Sequence, residues 1–281
     1  MKRLFPAALL ASLYAVMGLV AAGLRLACWR RALVRRHVAR CLPSASAARR
    51  REVERAFYRY LGELAAEVAY EPFMDAQALA GHVRLENPEA IEDRLASRRK
   101  VLILSAHHAN WEWLLMRCST GFTAPLTAVH KRLRNDTLER CVRGLRERFG
   151  CTMVETKQLV PHLIERRGQI PLLAMLADQS PSVKNPQQVW IDFFGQSTAF
   201  YGGPGWIGAK FGYDAYFAAM HRERRGVYVV RLVELLPGEP RKEPEQILRA
   251  YVAALEDHVR ASPEQYFWAY NRWKREKPLY A

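Results

Sequence analysis

Polar and apolar positions change rhythm twice along this chain of 281 residues. Residues 4–24 hold no charged side chain and are mostly Leu, Ala and Val. As a helix at ~1.5 Å per residue this stretch reaches about 31 Å, enough to cross a bilayer's hydrocarbon core. Beyond it the pattern turns amphipathic. Residues 25–40 predict a basic helix, which Pro43 interrupts. Ser44 or Ser46 can then cap a second helix running to about Tyr70, with Val53, Phe57, Tyr60, Leu61, Leu64 and Val68 at helical spacing. From residue 100 short apolar runs alternate with helical stretches: strands at 101–104, 126–129, 152–154 and 172–176, helices through 113–117, over 135–149 and near 158–166. That alternation predicts an α/β fold, a central, mainly parallel or mixed sheet flanked by helices. Later runs at 189–194, 215–220 and 227–235 extend the sheet with antiparallel members, and a last helix at 244–259 takes its proline in the first turn. The chain divides into an apolar segment, 1–24, a basic amphipathic segment, 25–70, and an α/β domain, 71–281.

Charge changes this picture at the amino-terminal end. With 43 Lys and Arg against 28 Asp and Glu, the net charge is +15, which suits nucleic acid, an anionic membrane surface or an acidic partner without choosing among them. Between Arg25 and Arg59 eleven Arg stand against two Glu. Such a basic segment behind an apolar run holds the downstream chain on the cytoplasmic side of a bacterial inner membrane. A secretory signal is the alternative, with Lys2 and Arg3 as its basic start and Val20, Ala21 and Ala22 before a cut. The apolar run exceeds a usual signal core, so we read an uncleaved membrane anchor, with Arg49, Arg50, Arg51 and Arg55 facing lipid headgroups. The five cysteines form no CxxC pair and no cluster with histidine, so neither a metal site nor a disulfide framework is expected.

Candidate chemistry concentrates in one segment. A buried strand ends at Ala106 and a helix starts within a few residues, which puts His107 at the carboxyl edge of the sheet. A neutral imidazole there can take a proton from a hydroxyl while a carboxylate on its other nitrogen fixes the tautomer. Glu112 can supply that carboxylate only if a turn separates the two, because five residues of regular helix do not align them. His108 and Glu112, at i and i+4, form the competing pair on one helix face. Spacing alone rates the two histidines nearly equal.

His107, Asn110, Trp111 and Glu112 spell His-x-x-Asn-Trp-Glu, which resembles the His-x4-Asp/Glu motif of glycerolipid acyltransferases. More closely, it resembles the H-x-G-N-W-E of the bacterial late acyltransferases of lipid A biosynthesis. Further blocks agree in order. Lys131, Arg132, Leu133, Arg134 and Asn135 resemble that family's R-P-L-x-N block, with Arg146 and Gly150 following. Ala177, Asp178, Gln179, Ser180 and Pro181 resemble its D-Q-x-P element, followed by Phe193, Phe194 and Gly195. Pro263 to Trp268 with Arg272, Trp273 and Lys274 resemble its P-E-Q-Y-x-W-x-x-x-R-W-K. The match runs from the anchor to about Lys274. Lys131 stands where the family usually has Arg, which removes a bidentate grip unless Arg132 or Arg134 supplies it. Ala109 replaces the usual Gly, and the 187–199 region departs from the family pattern.

The resemblance implies direct acyl transfer. His107 is the base and Glu112 its orienting carboxylate; the helix-start amides near Ala109 and Asn110, or the Asn110 side chain, hold the oxyanion. Asn110, Trp111, Lys131, Arg132, Arg134, Asn135, Asp178, Gln179 and Arg272 are the implied substrate-binding residues. The donor would be acyl carrier protein or acyl-coenzyme A, and the acceptor an anionic lipid, first a lipid A precursor, otherwise an ornithine lipid or lysophospholipid. No cofactor is expected. Gly-x-Ser-x-Gly is absent, which argues against an acyl-serine hydrolase. A basic nucleic-acid-binding protein is opposed by the anchor and by the lack of a recognisable binding module, so no nucleic-acid partner is expected. A non-catalytic membrane scaffold would be indifferent to His107.

Overall fold

Helices α1 (Leu4–Leu26), α2 (Arg31–Cys41) and α3 (Ala47–Tyr70) open the chain. The computed structural model describes residues 4–181, 188–239 and 242–274; Lys2, Arg3 and Gln187 lie outside them. Ser46 caps α3 by accepting from the Arg49 N–H at 3.1 Å, one of the two caps the spacing offered. The apolar α1 lies antiparallel against α3: Tyr14 meets Glu67, and farther along α1 Met17 and Ala21 meet Gly62. Gly62 is required there, since a Cβ would come within 2.7 Å of both the Ala21 Cβ and the Met17 carbonyl oxygen. Leu9, Leu10 and Leu13 also turn toward the core, whereas Val16, Leu19, Val20 and Leu26 are exposed. Among the described residues the span Ala8–Leu26 is the one long and apolar enough to cross a membrane.

After a 3₁₀ turn at Glu71–Phe73 come α4 (Ala76–His82), β1 (Val83–Leu85) and α5 (Glu89–Ala96). The alternation predicted from residue 100 follows as β2 (Lys100–Ser105), α6 (Trp111–Gly121), β3 (Leu126–His130), α7 (Asp136–Glu147), β4 (Thr152–Glu155), α8 (Leu159–Glu165) and β5 (Leu172–Leu176). The remainder is β6 (Gln188–Phe193), β7 (Gln196–Tyr201), α9 (Gly203–Phe211), β8 (Tyr213–Arg224), β9 (Val227–Glu234) and α10 (Pro244–Ala261). Seven strands form one sheet in the order β1-β9-β8-β2-β5-β3-β4, parallel at every pairing except β8 with β9.

Central strands covered on both faces need apolar residues at every position, which is why 101–104 reads as an unbroken run. Leu102 and Leu104 face α9 and α10 with Leu173, Phe217 and Leu248; Val101 and Ile103 face α6 with Leu172, Tyr216 and Trp113. One expectation fails. The run at 189–194 does not extend the sheet: β6 pairs only with β7, as a separate antiparallel hairpin. Its tight turn at Phe194 and Gly195, both with positive φ (55° and 68°), folds the run back on itself, and the Phe194 N–H is held by Glu256 of α10 at 2.6 Å.

The α1–α3 seam is testable through its glycine. Gly62→Val drives a side chain into backbone and should cost about 1–3 kcal/mol, an overpacking penalty. Thermal unfolding should show a clearly lower Tm; an unchanged Tm would mean that α1 does not rest against α3 at this point.

Candidate active site

β2 and β5 are parallel neighbours, so the segments leaving their carboxyl ends emerge side by side. The Ala177 N–H donates to the Ser105 carbonyl at 3.1 Å and carries the pairing one residue past the strands. His107 and Asp178 follow, and His107 Nδ1 lies 2.7 Å from Asp178 Oδ1. With the Nδ1–H donating to the Asp178 carboxylate, Nε2 is left as the acceptor, and the Gln179 side-chain amide donates to it at 3.2 Å. Asp178 is buried and His107 is partly open, on a narrow recess shared with Gln179, Tyr266, Phe267 and Arg272.

This corrects the partner expected for His107. Glu112 does not sit on the second imidazole nitrogen. Ala109 adopts a left-handed conformation, φ 51°, and Asn110 caps α6 by accepting from the Trp113 N–H at 3.0 Å. The sharp turn between His107 and Glu112 is therefore present, but it delivers Glu112 to Arg146 of α7, which grips it with two bonds of 2.8 and 2.6 Å. The Trp111 indole N–H donates to the same carboxylate at 3.2 Å, and its ring meets His107 edge-on, centroids 5.2 Å apart.

The structure separates the two histidines. His108 is fully enclosed, its Nε2 bonded to the Ser262 carbonyl at 3.0 Å and its ring 4.2 Å from that of His258. Burial, with His258 beside it, pushes its pKa well below the ordinary value, so it stays neutral. The carboxyl-terminal aromatic segment pins the turn from the other side. Phe267 N–H donates to the His107 carbonyl at 3.0 Å, and Ala109 N–H to the Gln265 carbonyl at 3.1 Å. The Ala109 amide is thus engaged, and so is the Asn110 side chain, whose Nδ2 donates to Glu67 at 2.8 Å. Neither is free to hold an oxyanion, as the sequence had suggested.

Electrostatics favour a charge-paired imidazole. Burial alone would lower the His107 pKa, but the charge and hydrogen bond of Asp178, with a smaller contribution from Glu112, outweigh it and hold the group above 6.5. Asp178 mirrors this: burial pushes it up, and His107, with Arg272 behind, holds it below the usual carboxylate range. Arg272 is itself buried, donating to Ser180 Oγ and to the Ala199 carbonyl, both at 2.8 Å, with its guanidinium 4.2 Å over the Phe200 ring. It braces the loop that carries Asp178 and Gln179.

The basic block lies elsewhere on the same edge. Lys131, Arg132 and Arg134 occupy the exposed loop after β3, two strand spacings or about 10 Å along the sheet from β2. Arg132 pairs with Asp136 at 2.8 Å; among the described residues Lys131 and Arg134 have no ion-pair partner. Asn135 caps α7 by accepting from the Leu138 N–H at 2.9 Å, a structural duty. Two residues escaped sequence reasoning. Arg146 is the partner of Glu112, although the resemblance had marked its position. Glu67 is an acid in the helical phase of Phe57, Tyr60 and Leu64, and that misplaced polarity was its only signal.

The site is thus a carboxylate-backed histidine at the carboxyl edge of a mostly parallel sheet. The sequence profile of the bacterial lipid A biosynthesis acyltransferases matches residues 1–275, and the chain belongs to that family. It is accordingly an acyltransferase acting on lipid. A search of curated proteins finds no match.

A histidine that accepts a proton must first be neutral, so the expectation for His107 as the base is an activity that rises with pH through a pKa above 6.5. Asp178→Asn removes the charge that raises it. The acid limb of kcat/KM should move to lower pH while kcat falls by about 10²–10⁴-fold, because the imidazolium loses its partner. Glu112→Gln should move the limb the same way but less. An acid limb that shifts with Glu112 and not with Asp178 would reverse the assignment.

Proposed function

We propose that the chain moves a fatty acyl group from a thioester on acyl carrier protein or coenzyme A to a hydroxyl of a lipid A precursor, at the cytoplasmic face of a bacterial inner membrane. The observation that carries this reading is the His107–Asp178 bond of 2.7 Å, which leaves Nε2 as the proton-accepting atom. The acceptor hydroxyl displaces the Gln179 amide from Nε2 and gives up its proton there as its oxygen attacks the thioester carbonyl carbon. The C–S bond then breaks, and the imidazolium returns the proton to the departing thiolate, so ester and free thiol leave and the enzyme is unchanged. Asp178 stabilises the imidazolium between the two transfers. The N–H groups of Trp111 and Glu112, in the first turn of α6, are the donors we assign to the developing oxyanion.

Glu112 acts beside the base, as a charge that favours the imidazolium against the opposing Arg146 and as the brace of the Trp111 ring. Lys131 and Arg134 take acceptor phosphates, a role supported by their unpaired charge at the edge that carries His107. Arg132, already paired, orders that loop. The exposed apolar face of α1 and the arginines that follow it support placement on an anionic membrane.

His107→Ala should lower acyl transfer by about 10²–10⁴-fold, the usual worth of a positioned base. Mass spectrometry of membrane lipids with the wild-type and altered protein should show the acylated lipid disappear with the variant. Retention of the product by His107→Ala would refute the reading.

A further inference from the structure

A carboxylate on the apolar side of a helix is costly unless donors meet its oxygens. Glu67, fully buried on α3, has three, and they come from three separate elements. Tyr14 of α1 donates its hydroxyl to Oε1 at 2.9 Å. Tyr228 of β9 and the Asn110 amide donate to Oε2, at 2.6 and 2.8 Å. Tyr14 is held from a second direction as well. The Arg225 guanidinium lies 5.2 Å from its ring centroid, and the β8–β9 turn passes so close at Gly226 that a Cβ there would stand 2.8 Å from the Tyr14 hydroxyl. The polar middle of an otherwise apolar helix is thus locked into the α/β domain.

The other end of this chain of bonds is the active-site turn. Asn110 spends its Nδ2 on Glu67 and its Oδ1 on the Trp113 N–H, so one amide fixes the start of α6 against α3. Directly before it, Ala109 makes the left-handed step that separates His107 from α6. Loss of a contact to Glu67 would leave Asn110 free to turn, and with it the backbone that aims His107 and presents the first amides of α6. Misplacement by an ångström at a reacting centre can cost about 10²-fold in rate.

We propose that Tyr14, acting through Glu67 and Asn110, is a positioning residue of the acyl-transfer site, so that the apolar helix α1 belongs to the catalytic unit as well as to the membrane-facing surface. The proposal rests on the acyl-transfer reading above. It separates two faces of one helix: Tyr14 serves turnover, while Leu19, exposed on the opposite side, serves contact with lipid.

The test uses the full chain in detergent micelles, with a lipid A precursor as acceptor and an acyl-carrier-protein thioester as donor, so that retention on a membrane does not limit the rate. Tyr14→Phe, which removes one oxygen and keeps the ring, should lower kcat by about tenfold with both KM values nearly unchanged. Asn110→Ser keeps an oxygen at the cap but cannot reach Glu67, and should lower kcat at least as far. The double variant should lose no more than Asn110→Ser alone, because both changes break the same linkage. Leu19→Ala should leave kcat unchanged. Losses that multiply in the double variant, or full turnover by Tyr14→Phe, would overturn the proposal. His107→Ala run beside them keeps the two readings apart: an active His107→Ala rejects acyl transfer by this base, whereas an inactive one beside a fully active Tyr14→Phe rejects only the positioning role.

Discussion

The bond between His107 and Asp178 depends on the parallel pairing of β2 with β5, and much of the site's architecture serves that pairing. Two strands that run the same way end at the same edge, so the residues just past them meet without a long loop. The arrangement then needs a turn that stops β2 from continuing, and Ala109 and Asn110 supply it. It also needs a brace behind the Asp178 loop, supplied by Arg272 through Ser180. The carboxyl-terminal segment closes the turn with the paired bonds at Ala109 and Phe267. A buried carboxylate stays charged only beside cations and donors, and His107 and Arg272 meet that condition for Asp178.

The second charge pair shows how nearby acids take different tasks. Glu112 is tied in two places by Arg146, and such a carboxylate is well suited to fixing a helix start and a tryptophan ring. Asp178 lies against the imidazole of His107, with Arg272 and Tyr266 beside it. Similar logic divides the basic residues. Arg31 and Arg35 close on Glu54 and hold α2 to α3, while Lys131 and Arg134 remain open at the sheet edge.

Local signals explain what the sequence made legible. Apolar runs at 101–104 and 172–176 announce buried strands, and Ser46 announces a helix start at which it acts as the cap. Selecting His107 over His108 came from the family pattern; the physical reason, the burial of His108 against His258, is a tertiary contact without local trace. The orienting carboxylate was misassigned for a related reason. Glu112 is near in sequence, whereas Asp178 is near only because β5 inserts between β2 and β3, and strand order is not written in any window of residues. The short elements α4, β1, α5 and α9 were not foreseen, their periodicity being too brief to read. The separate β6–β7 hairpin was missed because an apolar run of strand length does not state which sheet it joins.

The central claim is that His107 holds its proton on Nδ1, toward Asp178, and offers Nε2 to the acceptor hydroxyl. Nitrogen-15 NMR of histidine-labelled full-length protein, titrated with pH, reads this directly. The account predicts that neutral His107 carries its proton on Nδ1 and titrates above 6.5. A neutral form protonated on Nε2, or a pKa at or below 6.5, would contradict it.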